Sequence, residues 1–363
     1  MKKALVLIVV SALLFTASFG IAYMITSKVY VAKPADDITA SAKEALPVDK
    51  TVEIIVSAVG DCTLGTDTAF GVGGSFPLEL KNNGGDLNYF LSGVKNLFEE
   101  DDLTIVNLEG PLTDGGTRAS KKYAFRGEPD YAQILSGSSV EAANLANNHS
   151  MDYGQEGYDD TAKHLSDRGV EAFGNDTVKV MDVKGVRIGL IGTNALNAKS
   201  RDKFLENLEV LKAMNPDFTV ASFHCGVESS SVPNGEQVIL AHRAIDNGVD
   251  LVIGHHPHVL QGVDKYKDKY IAYSLGNFCF GGNRGPEDKD TAIFRQKFLF
   301  EDGKLVSAEE PEIIPCLLSS VNHRNDFHPI PAYDGDFDRI VNKIVTRSAG
   351  YSGVENVSFV RGI

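Results

Sequence analysis

Five stretches of this chain run from apolar residues directly into a side chain able to bind a cation. They are Val59-Gly60-Asp61, Val106-Asn107-Leu108-Glu109, Ala146-Asn147-Asn148-His149, Ser222-Phe223-His224 and Ile253-Gly254-His255-His256-Pro257-His258. In open α/β sheets the ligand crevice lies beyond the carboxyl ends of the strands, so groups placed there converge in space although they are distant in the chain. Asp61, Glu109, Asn148, His224, His256 and His258 together offer six oxygen and nitrogen donors. That is too many for one tetrahedral zinc and suits two divalent metal ions sharing a bridging carboxylate. Imidazole, amide and carboxylate without thiolate fit Mn²⁺, Fe or Zn²⁺ better than Ca²⁺. Two such ions, about 3.5–4 Å apart, can hold an anionic substrate, acidify a shared water and stabilise attacking and leaving oxygens.

Positioning these groups requires strands alternating with helices. Short runs rich in β-branched residues predict strands over Ile54–Val59, Leu103–Leu108, Val140–Leu145, Arg187–Gly192, Phe218–Phe223, Leu251–Ile253 and Tyr270–Ser274. Helical periodicity predicts helices over Leu87–Glu99, Tyr158–Arg168, Phe204–Met214 and Glu236–Asn247, the last stopping at Asn247-Gly248. Ala292–Phe300 and Leu305–Ile314 read as an antiparallel pair turning at Asp302-Gly303. The fold class is therefore α/β, with two packed mixed sheets flanked by helices in one domain over 51–318. The polar residues 319–363 read as a peripheral tail.

The chain has 363 residues, 43% hydrophobic and 23% charged, which describes a globular body and excludes a multi-span membrane protein. Its 35 Lys plus Arg against 49 Asp plus Glu give a net charge of −14, which argues against a nucleic-acid partner. Lys2 and Lys3 precede an uncharged apolar run, Ala4–Ser27. At about 1.5 Å per residue this run can cross the roughly 30 Å hydrocarbon layer, and it is longer than the apolar region of a cleaved signal, about 7–15 residues. Residues 1–27 are thus expected to be a signal anchor, a single transmembrane helix, with a cleaved signal peptide as the alternative; either leaves the body outside the cytoplasmic membrane. Residues 28–50 read as a solvated stalk. The four cysteines show no CxxC spacing; Cys62 and Cys225 each neighbour a proposed ligand, and a disulfide, a soft ligand and two buried thiols all remain open for them.

Six blocks in unbroken order carry a resemblance: Gly60-Asp61, Asn107-Leu108-Glu109-Gly110-Pro111, Asn144-Leu145-Ala146-Asn147-Asn148-His149, His224-x-Gly226-x-Glu228, Gly254-His255-His256-Pro257-His258 and Tyr273-Ser274-Leu275-Gly276-Asn277-Phe278. Over about residues 52 to 300 the chain resembles the poly-gamma-glutamate capsule synthesis proteins of CapA/PgsA type, a branch of the calcineurin-like metallophosphoesterases. The resemblance implies a four-layer α/β/β/α sandwich of metallophosphoesterase type and a membrane-anchored extracellular body. It also implies a link to synthesis or export of an anionic surface polymer alongside other membrane subunits.

Carried over block by block, it implies that Asp61 is the first metal carboxylate, Glu109 the bridging one and Asn148 the amide ligand. His224, His256 and His258 complete the set, and His149 is a general acid, a role to which imidazole is suited. Two departures stand out. Where the superfamily usually reads Asp-x-His, Asp61 is followed by Cys62 and Thr63, which leaves the first metal position weak or empty; and the bridging residue is Glu instead of Asp. Arg126, in Phe125-Arg126-Gly127, is an expected anion-binding group because its planar fork suits phosphate or carboxylate. Glu228 is expected to orient a metal-bound group from behind, and Asp152 to steady His149. Two functions follow as expectations: a metal-dependent hydrolase-like enzyme acting on the polymer or its precursor, or a non-catalytic assembly or export subunit with a degenerate site.

Overall fold

A largely apolar run belongs to a strand covered on both faces, and all six residues of Leu103–Leu108, Thr104 and Asn107 included, are buried. The computed structural model describes residues 51–362. The expected anchor and stalk, residues 1–50, lie outside the described residues, among which no helix is long and apolar enough to cross a membrane.

Sixteen strands are described in two sheets. β1 (Thr51–Thr63), β2 (Leu103–Leu108), β3 (Ala142–Asn144) and β4 (Glu171–Phe173) pair in parallel in that order. The second sheet takes β5 (Lys179–Val183), β6 (Val186–Asn194), β7 (Phe218–His224), β8 (Leu251–His255), β9 (Val263–Tyr266) and β10 (Lys269–Ala272), in the order β5-β6-β7-β8-β10-β9. The chain then returns to the first sheet through β11 (Asn277–Phe280), β12 (Asp290–Glu301), β13 (Lys304–Ala308), β14 (Glu312–Leu317), β15 (Ile330–Pro331) and β16 (Ser358–Phe359).

Side chains alternate across a strand, so each sheet supplies two apolar faces. Ile54, Val56 and Ile105 of the first sheet meet Ile188, Leu190, Phe218 and Val220 of the second in one buried cluster. On the opposite face of the first sheet, Val106 and Leu108 pack with Phe76, Leu135 and Leu165 from helical segments. On that of the second, Ile191, Ala221 and Phe223 pack with Phe204, Leu208 and Leu211 of the helix Ala198–Ala213, and with Leu240 and Ile245 of the helix Gly235–Asp246. The latter helix opens on a capping box between Asn234 and Gln237.

Three readings of the sequence need correction. The helix expected over 87–99 is broken into a 3-10 turn, Leu87–Tyr89, and a short helix, Lys95–Phe98. At Gly93 between them the backbone carbonyl of Pro329 approaches so closely that a Cβ would lie 2.5 Å from it, a tertiary contact invisible to periodicity. The second strand of the expected hairpin is two strands, β13 and β14, both paired with β12. Residues 319–362 are no peripheral tail. β15 and β16 extend the first sheet, and the helix Asp334–Arg347 buries Ile340 and Ile344 in the cluster between the sheets.

That helix is tied down by charge as well as by apolar contact. Asp290, 4% exposed, accepts from Arg339 Nη2 at 2.5 Å and pairs with Lys343. Burial alone would raise its carboxyl, but hydrogen bonds from Arg339 and Lys343 hold it below the ordinary value. The stability it contributes is present above the unfolded carboxylate pKa of about 3.9 and is lost as pH falls through the lower folded value. Asp290→Asn is expected to cost about 2 kcal/mol at neutral pH. The deficit, read from urea midpoints, should shrink as the pH is lowered below the ordinary carboxylate range.

Candidate metal centre

Parallel pairing puts the ends of neighbouring strands level. Asp61 on β1 is in register with Asn107 on β2 and with Asn277 on β11, and Asn107 in turn with Asn144 on β3. In the second sheet His224 is level with Asn194 on β6 and with His255 on β8. Asp61 reaches its place through an irregularity in β1 at Gly60, where a Cβ would lie 2.1 Å from the Gly276 carbonyl. Only a glycine allows that approach, which lets Asp61 N donate to Gly276 O at 2.9 Å. Glu109 and His256–His258 follow immediately after β2 and β8, and Asn148-His149 lie in the loop after β3.

The groups meet where the two rows of strand ends face each other. Asp61 Oδ1 accepts from Asn107 Nδ2 at 2.8 Å, Asp61 Oδ2 lies 3.0 Å from His258 Nδ1, and His256 N donates to Oδ2 at 3.3 Å. His224 Nδ1 lies 3.4 Å from Glu109 Oε1, and its Nε2 lies 2.9 Å from Asn148 Oδ1. Two donor groups result, each with ligand atoms within 4.8 Å of one another: Asp61, Glu109 and His224, all buried, and Glu228, His256 and His258 nearer the surface. Glu228, expected behind the ligands, stands among them. His256 and His258 hold φ values of 95° and 58°, a conformation that costs non-glycine residues about 1–3 kcal/mol and persists where surroundings impose it.

Carboxylates and imidazoles make up the cluster, and several of their polar atoms are unmet. Both Glu109 oxygens, both His255 nitrogens and His256 Nδ1 are buried without a hydrogen-bond partner, at about 1–3 kcal/mol each. Burial and the neighbouring Asp61 charge push the Glu109 carboxyl up to about 8. Burial opposes charge on His258, yet Glu109 and Asp61 raise it to about 10. Burial would also raise Asp61, but the imidazoles of His255 and His258 beside it hold it well below the usual range. His224 and His256 are lowered, chiefly by burial, which leaves their lone pairs available. Carboxylate and neutral imidazole donors converging with unmet lone pairs fit a divalent cation. Thiolates take no part: all four cysteines are free and buried, and burial pushes Cys62 and Cys225 up to about 12.

A cavity of about 590 Å³ opens beside this cluster, with His149, His258, Glu228 and Asn277 in its wall together with Phe70, Tyr123, Phe125 and Phe280. His149 Nδ1 lies 2.8 Å from Asp152 Oδ2, the pairing expected from the sequence. Asp152 also accepts from Phe125 N at 2.6 Å and pairs with Lys121, whose Nζ donates to Asn148 O at 2.8 Å. Arg126 is not in the cavity wall: its guanidinium lies over the Tyr153 ring at 4.9 Å. Asn107, His255, Asn277 and Lys121 were not singled out from the sequence. Asn107 had a signal, since it precedes Glu109 by two residues at the end of a strand and so shares its face.

Fold and site define a class: a mixed α/β protein of two facing sheets with a carboxylate–imidazole cluster, compatible with divalent metal, beyond their strand ends. Residues 55–282, more than half of the chain, match the family described as bacterial capsule synthesis protein PGA_cap, and the chain belongs to that family. It is 29% identical over 256 residues to a capsule biosynthesis protein CapA of Bacillus anthracis, covering 63% of this chain and 60% of that protein. It is 29% identical over 210 residues to a PGA biosynthesis protein CapA of Bacillus subtilis strain 168, covering 52% and 55% respectively. The matches thus span 55–60% of the length of these relatives. A solved structure of a hypothetical protein from Thermus thermophilus superposes with a TM-score of 0.42 at 15% identity, covering 72% of this chain and 99% of that one.

Mn²⁺ at about 100 times its Kd is expected to stabilise the folded chain by about 2.7 kcal/mol, raising Tm by about 5 °C. Glu109→Gln should abolish most of that rise in a thermal melt while leaving the melt in chelator nearly unchanged.

Proposed function

We propose that this chain is a metal-dependent, hydrolase-like protein of capsule biosynthesis that acts on an anionic polymer of poly-gamma-glutamate type or its precursor. Its N-terminal segment would anchor it in the membrane beside other subunits, with the body outside the cell. The observation that carries the reading is the buried set of unpartnered Glu109, His255 and His256 atoms beside the His149–Asp152 pair. The helix–sheet–sheet–helix layering supports a fold of metallophosphoesterase type.

Asp61, Glu109 and His224 would hold one divalent cation, and Glu228, His256 and His258 a second, with Asn148 beside His224. Bound there, the cations supply positive charge for an anionic group and acidify a water. His149 has its Nδ1 committed to Asp152, so Nε2 is the nitrogen that hands a proton to a leaving oxygen. Asp152 fixes the orientation of that imidazole and is itself held by Phe125 N and Lys121. The aromatic side of the cavity, with the Phe125 ring 4.4 Å from that of His149, keeps water from the face of the imidazole.

A second reading, a non-catalytic assembly or export subunit binding metal or polymer, is favoured by Cys62 and Thr63 after Asp61, which supply no imidazole. The two separate on hydrolysis of bis-p-nitrophenyl phosphate by the Mn²⁺-loaded full-length chain. Catalysis is expected, with His149→Ala lowering kcat by about 100-fold or more at undiminished metal content, and Asp152→Asn by about 10- to 100-fold. Metal uptake without turnover in the parent chain would instead establish the assembly role.

A further inference from the structure

His255 is the last residue of β8 and is 1% exposed. Its backbone carbonyl is satisfied by Cys225 N at 3.0 Å, but neither ring nitrogen has a hydrogen-bond partner. Two neighbouring imidazoles differ: His224 Nε2 has Asn148 Oδ1 at 2.9 Å, and His258 Nδ1 has Asn277 Oδ1 at 2.9 Å. What His255 Nδ1 faces is Asp61 Oδ1, 3.4 Å away. That is long for N–H···O, whose mode is about 2.9–3.0 Å, and Asp61 Oδ1 already accepts from Asn107 Nδ2 at 2.8 Å. The spacing does match two donors on one cation. With bonds of about 2.1 Å, ligand atoms stand about 3.0 Å apart at a right angle and about 3.4 Å apart at the tetrahedral angle. His224 Nδ1 and Glu109 Oε1, which belong with Asp61 to one donor group, are likewise 3.4 Å apart.

We propose that His255 is a direct ligand of the cation held by Asp61, supplying from the second sheet an imidazole that β1 does not. On β1 itself, Cys62 lies in the outer apolar cluster of the first sheet, and Thr63 is buried and carries no imidazole. The first cation position is therefore completed across the two sheets: Asp61 from β1, His255 from β8. This inference rests on the metal-centre reading above.

The test uses the full-length chain, stripped with chelator and titrated with Mn²⁺. Bound ions are counted by mass spectrometry, affinities come from the free-Mn²⁺ EPR signal, and coordinated histidine nitrogen is read from pulsed EPR of the loaded protein. In His255→Gln one of two Mn²⁺ affinities should fall tenfold or more and the nitrogen modulation should become shallower, with unfolding in chelator little changed. His255→Asn, smaller and with an amide where Nδ1 stood, gives the same readout if the Gln variant does not fold. Affinities and nitrogen modulation equal to the parent's in the folded variant would overturn the proposal and leave the metal centre standing. Failure of the parent chain to take up Mn²⁺ would overturn both.

Discussion

Two carboxylates, Asp61 and Glu109, are buried in one cluster, and the surrounding structure answers that repulsion. Charges brought out of water must be paired or neutralised. Here the protein supplies imidazoles and amides in place of lysine or arginine: His255 and His258 beside Asp61, and Asn107 donating to it. In the absence of a cation the remedy is protonation, with Glu109 raised to about 8 and His258 to about 10. A divalent cation does the same work and displaces those protons. The chemistry proposed for the site follows from this single imbalance of charge.

The sandwich exists to hold that imbalance in place. The cluster joining Ile54, Val56 and Ile105 to Ile188, Leu190 and Phe218 fixes one sheet against the other, and level parallel strands then bring Asp61 and Asn107 opposite His224 and His255. Because the donors sit at strand ends, small shifts between the sheets would change their spacing. That makes the contacts reinforcing the packing part of the site in effect. The C-terminal helix is one of them, through Ile340, Ile344 and the Asp290 ion pairs.

Much of this was legible in the chain because strand ends announce themselves. An apolar run halted by a carboxylate or imidazole marks both a boundary and a donor, and Leu103–Leu108 was read with its observed limits. What stayed hidden depended on tertiary neighbours. Asn107 and Asn277 look like ordinary polar residues until register aligns them with Asp61. His255 carries no assigned role in the His255-His256-Pro257-His258 run until its ring is found buried without a partner. Arg126 looked like an anion-binding fork, but Tyr153 offers its guanidinium a ring face. The helix Asp334–Arg347 was lost in a segment of polar composition, although its apolar residues at 337, 340, 341, 344 and 345 keep a helical spacing.

The convergence of donors from both sheets on divalent cations is tested most directly by anomalous diffraction from crystals of the chain grown with MnCl₂, recorded at the manganese edge. Anomalous peaks are expected within bonding distance of Asp61, Glu109 and His224 and of His256, His258 and Glu228. A map with no peak at either group, under conditions where manganese is bound elsewhere or remains in solution, would contradict the central claim.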